Sequence, residues 1–264
     1  MRGRHRPVRR DGGAVTGPEA AGLKQRIRAG EKTLGGLLRL PGEFLVELAG
    51  VAGFDHVLID LEHGPADLVA LQHHIAAAEA HGLDVLVRVG AGDPGLVLRV
   101  LDLGATGIVV PHVDTAADAR AAVAAAHYPP LGARGFATYS RAGGFGAASI
   151  ADHLRRSAER TVVVVMAETP RACANAAEIA AVEGVDSVMV GPADLSVAMG
   201  LTGGAAEPDV RAATEAVRAA AAGAGKAMTT IVNDPAQAAA APPGLVVYNL
   251  AHVLLRTFRS LTAL

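Results

Sequence analysis

Asp60-Leu61-Glu62-His63-Gly64-Pro65 follows directly on the apolar run Val57-Leu58-Ile59. A strand that closes on two carboxylates and an imidazole, then turns through Gly-Pro toward a helix, brings titratable groups to one rim of a sheet. That rim is where α/β enzymes carry their chemistry. This run spans 55–59, and seven others of the same Val/Ile/Leu character lie at 33–38, 85–89, 107–111, 162–167, 187–191, 227–232 and 244–250. Ala-rich stretches of helical length separate them. Strands that are apolar nearly throughout are covered on both faces, so eight of them alternating with helices predict a closed (β/α)8 barrel, a TIM barrel, over residues 23–264. A doubly wound open sheet is the alternative.

Composition agrees. A chain of 264 residues that is 51% hydrophobic fills one large core without metal staples or disulfides. Its single cysteine, Cys173, lies in an Ala-rich helical stretch and reads as a small packing residue, and the absence of a disulfide framework points to a reducing cytoplasm. No apolar run approaches the roughly 18 residues that span a bilayer, which excludes a membrane protein of the helical kind. Residues 1–22 hold Arg2, Arg4, Arg6, Arg9 and Arg10 against Asp11 and Glu19, a net of +3, which with the chain's −2 leaves −5 for the remainder. The tail reads as disordered, and a folded part that is acidic argues against a nucleic-acid partner.

In a barrel the residues after each strand share one site. Asp60, Glu62 and His63 follow the second strand, Arg88 ends the third, Glu168 ends the fifth, and Asp194 follows the sixth in Gly191-Pro192-Ala193-Asp194-Leu195-Ser196. Glu168 and Asp194, on adjacent strands, suit a hard divalent cation that keeps its other positions for water or substrate oxygens. The same two residues equally suit helix caps, Asp194 before Leu195 and Glu168 before Thr169-Pro170. His63 qualifies as a general base, since an imidazole can take up and release a proton under physiological conditions, with Asp60 three residues earlier to orient it. His73 and His74 sit on a helix whose buried face is Leu68, Leu71 and Ile75, and read as surface or satisfied helix residues. Arg88, at the end of a buried strand, calls for an anion or a carboxylate. Lys226 precedes the seventh strand on the far rim, which disfavours an imine mechanism.

Taken in order, several pieces resemble the HpcH/HpaI class II pyruvate aldolases. They are Ala52-Gly53-Phe54-Asp55, Ile59 to Pro65, Val87-Arg88 with Asp93-Pro94, Tyr128-Pro129-Pro130 through Arg134-Gly135, Arg141-Ala142, Glu168-Thr169, Gly184-Val185-Asp186, and Gly191 to Ser196 with Met199-Gly200. The resemblance covers roughly residues 23–235. It implies a barrel that cleaves a 4-hydroxy-2-oxo acid to pyruvate and an aldehyde, with a divalent metal (Mg²⁺, Mn²⁺ or Co²⁺), in a homo-oligomer of the hexameric kind. It further implies that Glu168 and Asp194 bind the metal, that His63 with Asp60 handles the proton, and that Arg88 holds the keto oxygen. Backbone N–H groups between Gly191 and Asp194, including Pro192 and Ala193 of that turn, are the expected seat of the pyruvate carboxylate.

The chain departs from the family pattern at Thr229-Thr230, at Asn249-Leu250-Ala251-His252, at Pro242-Pro243, at Met166-Ala167 and at Phe145. The metal and enolate residues are intact while the rim facing the aldehyde differs. Oxaloacetate decarboxylation, a tailoring condensation from the same enolate, and a non-enzymatic keto-acid binder are therefore the competing functions. The segment 128–160, rich in Gly, Pro and Arg, reads as a rim loop over the site or a subunit contact. Arg134 and Arg141 within it either receive a substrate's distal carboxylate or stabilise the loop, and read first as solvated structural arginines.

Overall fold

The computed structural model describes residues 21–40 and 42–263. The basic tail expected at 1–22 lies, but for its last two residues, outside them. Eight parallel strands close into one barrel in sequence order. They are β1 Lys32–Leu38, β2 His56–Asp60, β3 Asp84–Arg88, β4 Gly107–Val110, β5 Val162–Ala167, β6 Ser187–Val190, β7 Ala227–Val232 and β8 Gly244–Asn249. β8 pairs back onto β1, so the open-sheet alternative falls and the predicted barrel stands. Helices lie between successive strands, as the crossover connection of parallel strands requires.

Period-two alternation sorts each strand into two cores. Leu37, Leu58, Leu86, Val109, Val164, Met166, Met189, Leu245 and Val247 fill the barrel interior. Their chain neighbours, such as Val57, Ile59, Val85, Val163 and Val165, face the helices. Helix Leu23–Arg28 plugs the N-terminal end, inserting Leu23 and Ile27 into the interior cluster. Its Lys24, buried, donates to Thr161 O at 2.6 Å and lies 3.1 Å from Asp186. Lys226 donates to Val185 O at 2.8 Å ahead of β7, on this same far rim.

Of the two expectations for 128–160, the rim loop over the site is corrected by the position of 128–149. That segment leaves helix Ala116–Ala126 and leads through helix Ile150–Arg160 into β5, so it is a helix-to-strand connection and belongs to the end of the barrel away from the strand C-termini. Its contacts agree: Arg134 donates to Asp102 at 2.6 Å at the end of helix Pro94–Asp102, and Arg141 pairs with Glu79 at the end of helix Leu68–Ala80. Arg134 is buried, with its guanidinium 4.8 Å from the Tyr128 ring centre, and is a packed residue where a solvated one was expected.

Three departures from the family pattern have local physical roles. Thr229 Oγ1 hydrogen-bonds Ser187 Oγ at 2.8 Å across neighbouring strands. Asn249 caps helix Leu250–Thr262, its Oδ1 accepting from His252 N at 3.3 Å. Pro242-Pro243 follows a helix that stops at Ala240. Cys173 is half-buried against the outer core, where burial pushes its thiol up. His74 is buried, its Nε2 accepting from Gly42 N at 3.0 Å and its Nδ1 without a partner among the described residues, while His73 is exposed and 3.3 Å from Glu43.

His56, at the start of β2, is fully buried, and neither ring nitrogen has a partner among the described residues. Burial pulls its pKa down to about 4. The ring occupies space that Gly35 leaves open on β1: a Cβ there would lie 2.3 Å from His56 Nε2. Gly35→Ala should therefore lower unfolding stability by about 1–3 kcal/mol, the usual cost of overpacking, read as a drop in the urea midpoint at unchanged slope.

Candidate active site

Alternation fixes which polar residues reach the mouth. Leu58 faces the interior, so Asp60 does too, and the same parity takes Leu86 to Arg88, Met166 to Glu168 and Met189 to Gly191. The β2–β3 register sets Asp60 opposite Arg88. Arg88 grips the carboxylate with a fork, Nε to Oδ1 at 2.8 Å and Nη2 to Oδ2 at 2.5 Å. Both side chains are nearly closed to solvent.

Asp60 is therefore engaged elsewhere than expected. Arg39, just beyond β1, adds Nε to Oδ2 at 2.8 Å, and the N–H groups of Glu62 and His63 donate to Oδ1 at 3.1 and 3.2 Å. His63 meets Asp60 through its backbone alone, so the expected carboxylate-to-imidazole contact is replaced by a carboxylate-to-guanidinium one. Burial by itself would raise the Asp60 carboxyl; the hydrogen bonds from Arg88 and then Arg39 outweigh it and hold the pKa at about 2. Arg88 is pushed above its ordinary value, because the Asp60 bond and charge outweigh desolvation.

Glu62 stands at the centre of the second layer. Its Oε2 lies 3.3 Å from Arg88 Nη1 and 3.8 Å from His63 Nε2, and its Oε1 lies 3.6 Å from His112 Nε2. His63 itself is well exposed at the rim, with 59% of its side chain open. His112 is a residue the motif reading misses. It follows β4 and Pro111 with φ 55°, a left-handed conformation uncommon outside glycine and somewhat more frequent for His. Its N–H donates to Glu168 Oε2 at 3.0 Å, and its Nδ1 lies 3.6 Å from the same oxygen.

Glu168 is buried, and its pKa is raised by that burial, with the Asp194 and Glu62 charges adding to the shift against the His112 hydrogen bond. Neither Glu168 nor Asp194 caps a helix. Helix Pro170–Ala174 is capped by Thr169, whose Oγ1 accepts from Ala172 N at 3.0 Å. Helix Pro192–Ala198 has Gly191 at its N-cap with no side-chain cap, and Asp194 sits exposed in its first turn. Gly191 is bare because the Glu168 carboxylate lies against it: a Cβ there would come 2.5 Å from Oε1.

The turn offers fewer N–H groups than expected. Gly191 N donates to Ala167 O at 3.3 Å, Pro192 has no N–H, and Ala193 and Asp194 are left to donate outward. Among the described residues no three His, Cys, Asp or Glu close into a ready metal cluster. Two acidic oxygen donors, one buried and pushed toward its protonated form by the other, are what a hard cation with several non-protein ligands would relieve.

Asp60→Ala should strip the buried Arg88 of its fork partner, leaving it the single contact with Glu62 at 3.3 Å, and cost about 3 kcal/mol in urea unfolding. Because the folded pKa of Asp60 lies below its ordinary value, its contribution is present above the usual carboxylate range and is lost as pH falls toward about 2. The gap between wild type and variant should accordingly narrow in acid.

Comparisons with known proteins fit this geometry. The family model described as HpcH/HpaI aldolase/citrate lyase matches residues 40–241. The hydroxypyruvate/pyruvate aldolase of Pseudomonas aeruginosa is 42% identical over 194 residues, 73% of this chain and 72% of that protein. The pyruvate aldolase of Rhizobium etli is 38% identical over 193 residues, 73% and 75% of the two chains. A crystal structure of an HpcH/HpaI aldolase/citrate lyase family protein from Burkholderia cenocepacia superposes with a TM-score of 0.85 at 35% identity, covering 91% of this chain and 97% of that one.

Proposed function

Because this chain belongs to the HpcH/HpaI aldolase/citrate lyase family, we propose that it is a metal-dependent pyruvate aldolase, reversibly cleaving a 4-hydroxy-2-oxo acid to pyruvate and an aldehyde. One observation carries the reading. Glu168, buried and free of capping work, lies within the field of Asp194, in the helix that follows the next strand, and of Arg88 at the same mouth. Glu168 and Asp194 would hold a divalent cation, Mg²⁺, Mn²⁺ or Co²⁺, which supplies Lewis-acid stabilisation of developing negative charge when bound.

The protein's own residues account for the rest. Cleavage of the C3–C4 bond leaves an electron pair on C3 that spreads onto the C2 oxygen as an enolate. Arg88, fixed by Asp60, provides positive charge at that oxygen without reorganising. Asp60 is thus a positioning residue for Arg88. His63 accepts the 4-hydroxyl proton as the aldehyde forms and returns a proton to C3 to give pyruvate. Glu62, within reach of His63 and Arg88, stabilises the imidazolium between those two events. Ala193 and Asp194 N–H groups receive the pyruvate carboxylate. An assembly of identical subunits is supported by helix Leu250–Thr262, which buries none of its residues and exposes Leu255, Phe258 and Leu261.

A coupled pyruvate-release assay over short, long and dicarboxylic hydroxy-oxo acids tests the reading. Activity should vanish with a chelator and return with Mg²⁺, Mn²⁺ or Co²⁺, and cleavage that persists without metal would sink it. Glu168→Gln should abolish metal binding in calorimetry. His63→Ala should slow cleavage by about 10²–10⁴-fold, the range for a lost general base, and slow pyruvate methyl-proton exchange less.

A further inference from the structure

The far end of the barrel, away from the mouth, holds a cavity of about 190 Å³ between helix Leu23–Arg28, the 127–131 segment, helix Ile150–Arg160 and the Glu183-Gly184 turn. Lys24, Arg28 and the imidazole of His127 form its polar lining. The two cations share one carboxylate, Asp186, which already accepts three donors. Its Oδ2 lies 3.1 Å from Lys24 Nζ and takes Val163 N at 3.0 Å, and its Oδ1 takes Arg28 Nη2 at 3.0 Å. Burial pulls the Lys24 pKa down against the Asp186 charge, and the Arg28 and Lys226 charges press the same way. Lys24, Arg28 and Lys226 set against Asp186 and the exposed Glu183 leave a balance of +1.

Two groups here lack the partners their chemistry calls for. Arg28 commits Nη2 to Asp186, its Nε and Nη1 meet no acceptor among the described residues, and 62% of its side chain is open. A planar set of donors anchored at one edge and free at the other suits a carboxylate. His127 is buried with Nε2 unpartnered, and burial, with the Lys24 charge next, pulls its pKa down to about 4. Its neutral ring adds polarity to the wall without adding charge. Most of the other lining is apolar, from Tyr128, Leu131, Leu154 and Ala158 among others. An apolar cavity of about 150 Å³ takes a benzene ring, so 190 Å³ has room for one ring or a short branched chain bearing a carboxylate. Drug-sized ligands need roughly 300 Å³ or more.

We propose that this cavity is a binding site for a small organic monocarboxylate, its charged end on the open edge of Arg28 and its apolar body against Tyr128, Leu154 and Ala158. One negative charge matches the balance of the cluster, and one ring matches the space. The site stands at the opposite end of the strands from Glu168 and Arg88, and it holds whether or not the aldolase reading does. Its occupant ties down helix Leu23–Arg28, whose Leu23 and Ile27 share the interior cluster with Leu58, Leu86 and Met166. Binding is therefore expected to raise the thermal stability of the whole barrel.

Calorimetry and thermal unfolding, with chelator present so that the mouth holds no added cation, compare three probes. Benzoate has both charge and ring, benzamide has the ring without the charge, and acetate has the charge without the ring. Wild type should bind benzoate at least about tenfold tighter than either, with a rise in Tm. Arg28→Gln should weaken benzoate about tenfold or more, and Arg28→Lys less, since a point charge keeps the attraction and loses the fork. Ala158→Phe, an addition at an exposed helix position, reads the apolar half separately: benzoate should weaken about tenfold, and acetate by no more than about twofold. Equal affinity for benzoate and benzamide would overturn the site, as would a benzoate Kd unchanged in Arg28→Gln or in Ala158→Phe. A wild type that shows neither heat nor a Tm rise with about 10 mM benzoate ends it as well.

Discussion

A closed parallel barrel gives each strand only one inward position at its C-terminal end, and this constraint decides the chemistry of the mouth. Once Leu58, Leu86 and Met166 are inside, Asp60, Arg88 and Glu168 have no other direction to take. Their convergence is a by-product of core packing. The same alternation that buries the apolar residues therefore forces charged groups into a common, poorly solvated space. Such groups are expensive there unless each meets a partner.

Asp60 and Arg88 meet that demand for each other. Their fork is buried at neighbouring strand ends, where the carboxylate is held ionised and the guanidinium is fixed in direction. Two backbone N–H groups from the Glu62-His63 turn complete the shell around Asp60. The loop that carries the exposed imidazole is thereby tied to the residue that fixes Arg88. The proposed proton carrier and the proposed source of positive charge thus share one anchor, although Asp60 meets His63 only at its backbone N–H.

The strands were legible because β-branched runs bounded by Gly, Asp and Pro leave little choice of element, and both ends of each of the eight strands fall within one residue of the expected place. Asp60, Arg88, Glu168 and Asp194 were legible as strand-end residues for the same reason. The identity of Asp60's partner was hidden, since closeness in sequence favours His63 while the β2–β3 register favours Arg88. His112 was hidden by a backbone conformation that no local pattern announces, and Arg39 by an Arg-Leu-Pro-Gly stretch that reads as an ordinary turn. The position of 128–149 follows from connection order: whatever lies between a helix and the next strand belongs to the far end, however rich in arginine it is.

Charge balance gives the site its last constraint. Asp60, Glu62, Glu168 and Asp194 stand against Arg39 and Arg88, four carboxylates to two guanidiniums, a net of −2 when all are ionised. A field of that sign repels a 2-oxo acid, and the Asp194 and Glu62 charges add to the rise that burial imposes on the Glu168 carboxyl. Protonating Glu168 would lessen the field but remove a donor. A divalent cation held by the two carboxylates, as proposed, would cancel that field and leave both ionised, so that binding of an anionic substrate and binding of the metal would be coupled. The arginines then no longer serve to balance the mouth as a whole. They break its symmetry, assigning positive charge to the β1–β3 side, while the carboxylates that would hold the cation stand on the β5–β6 side.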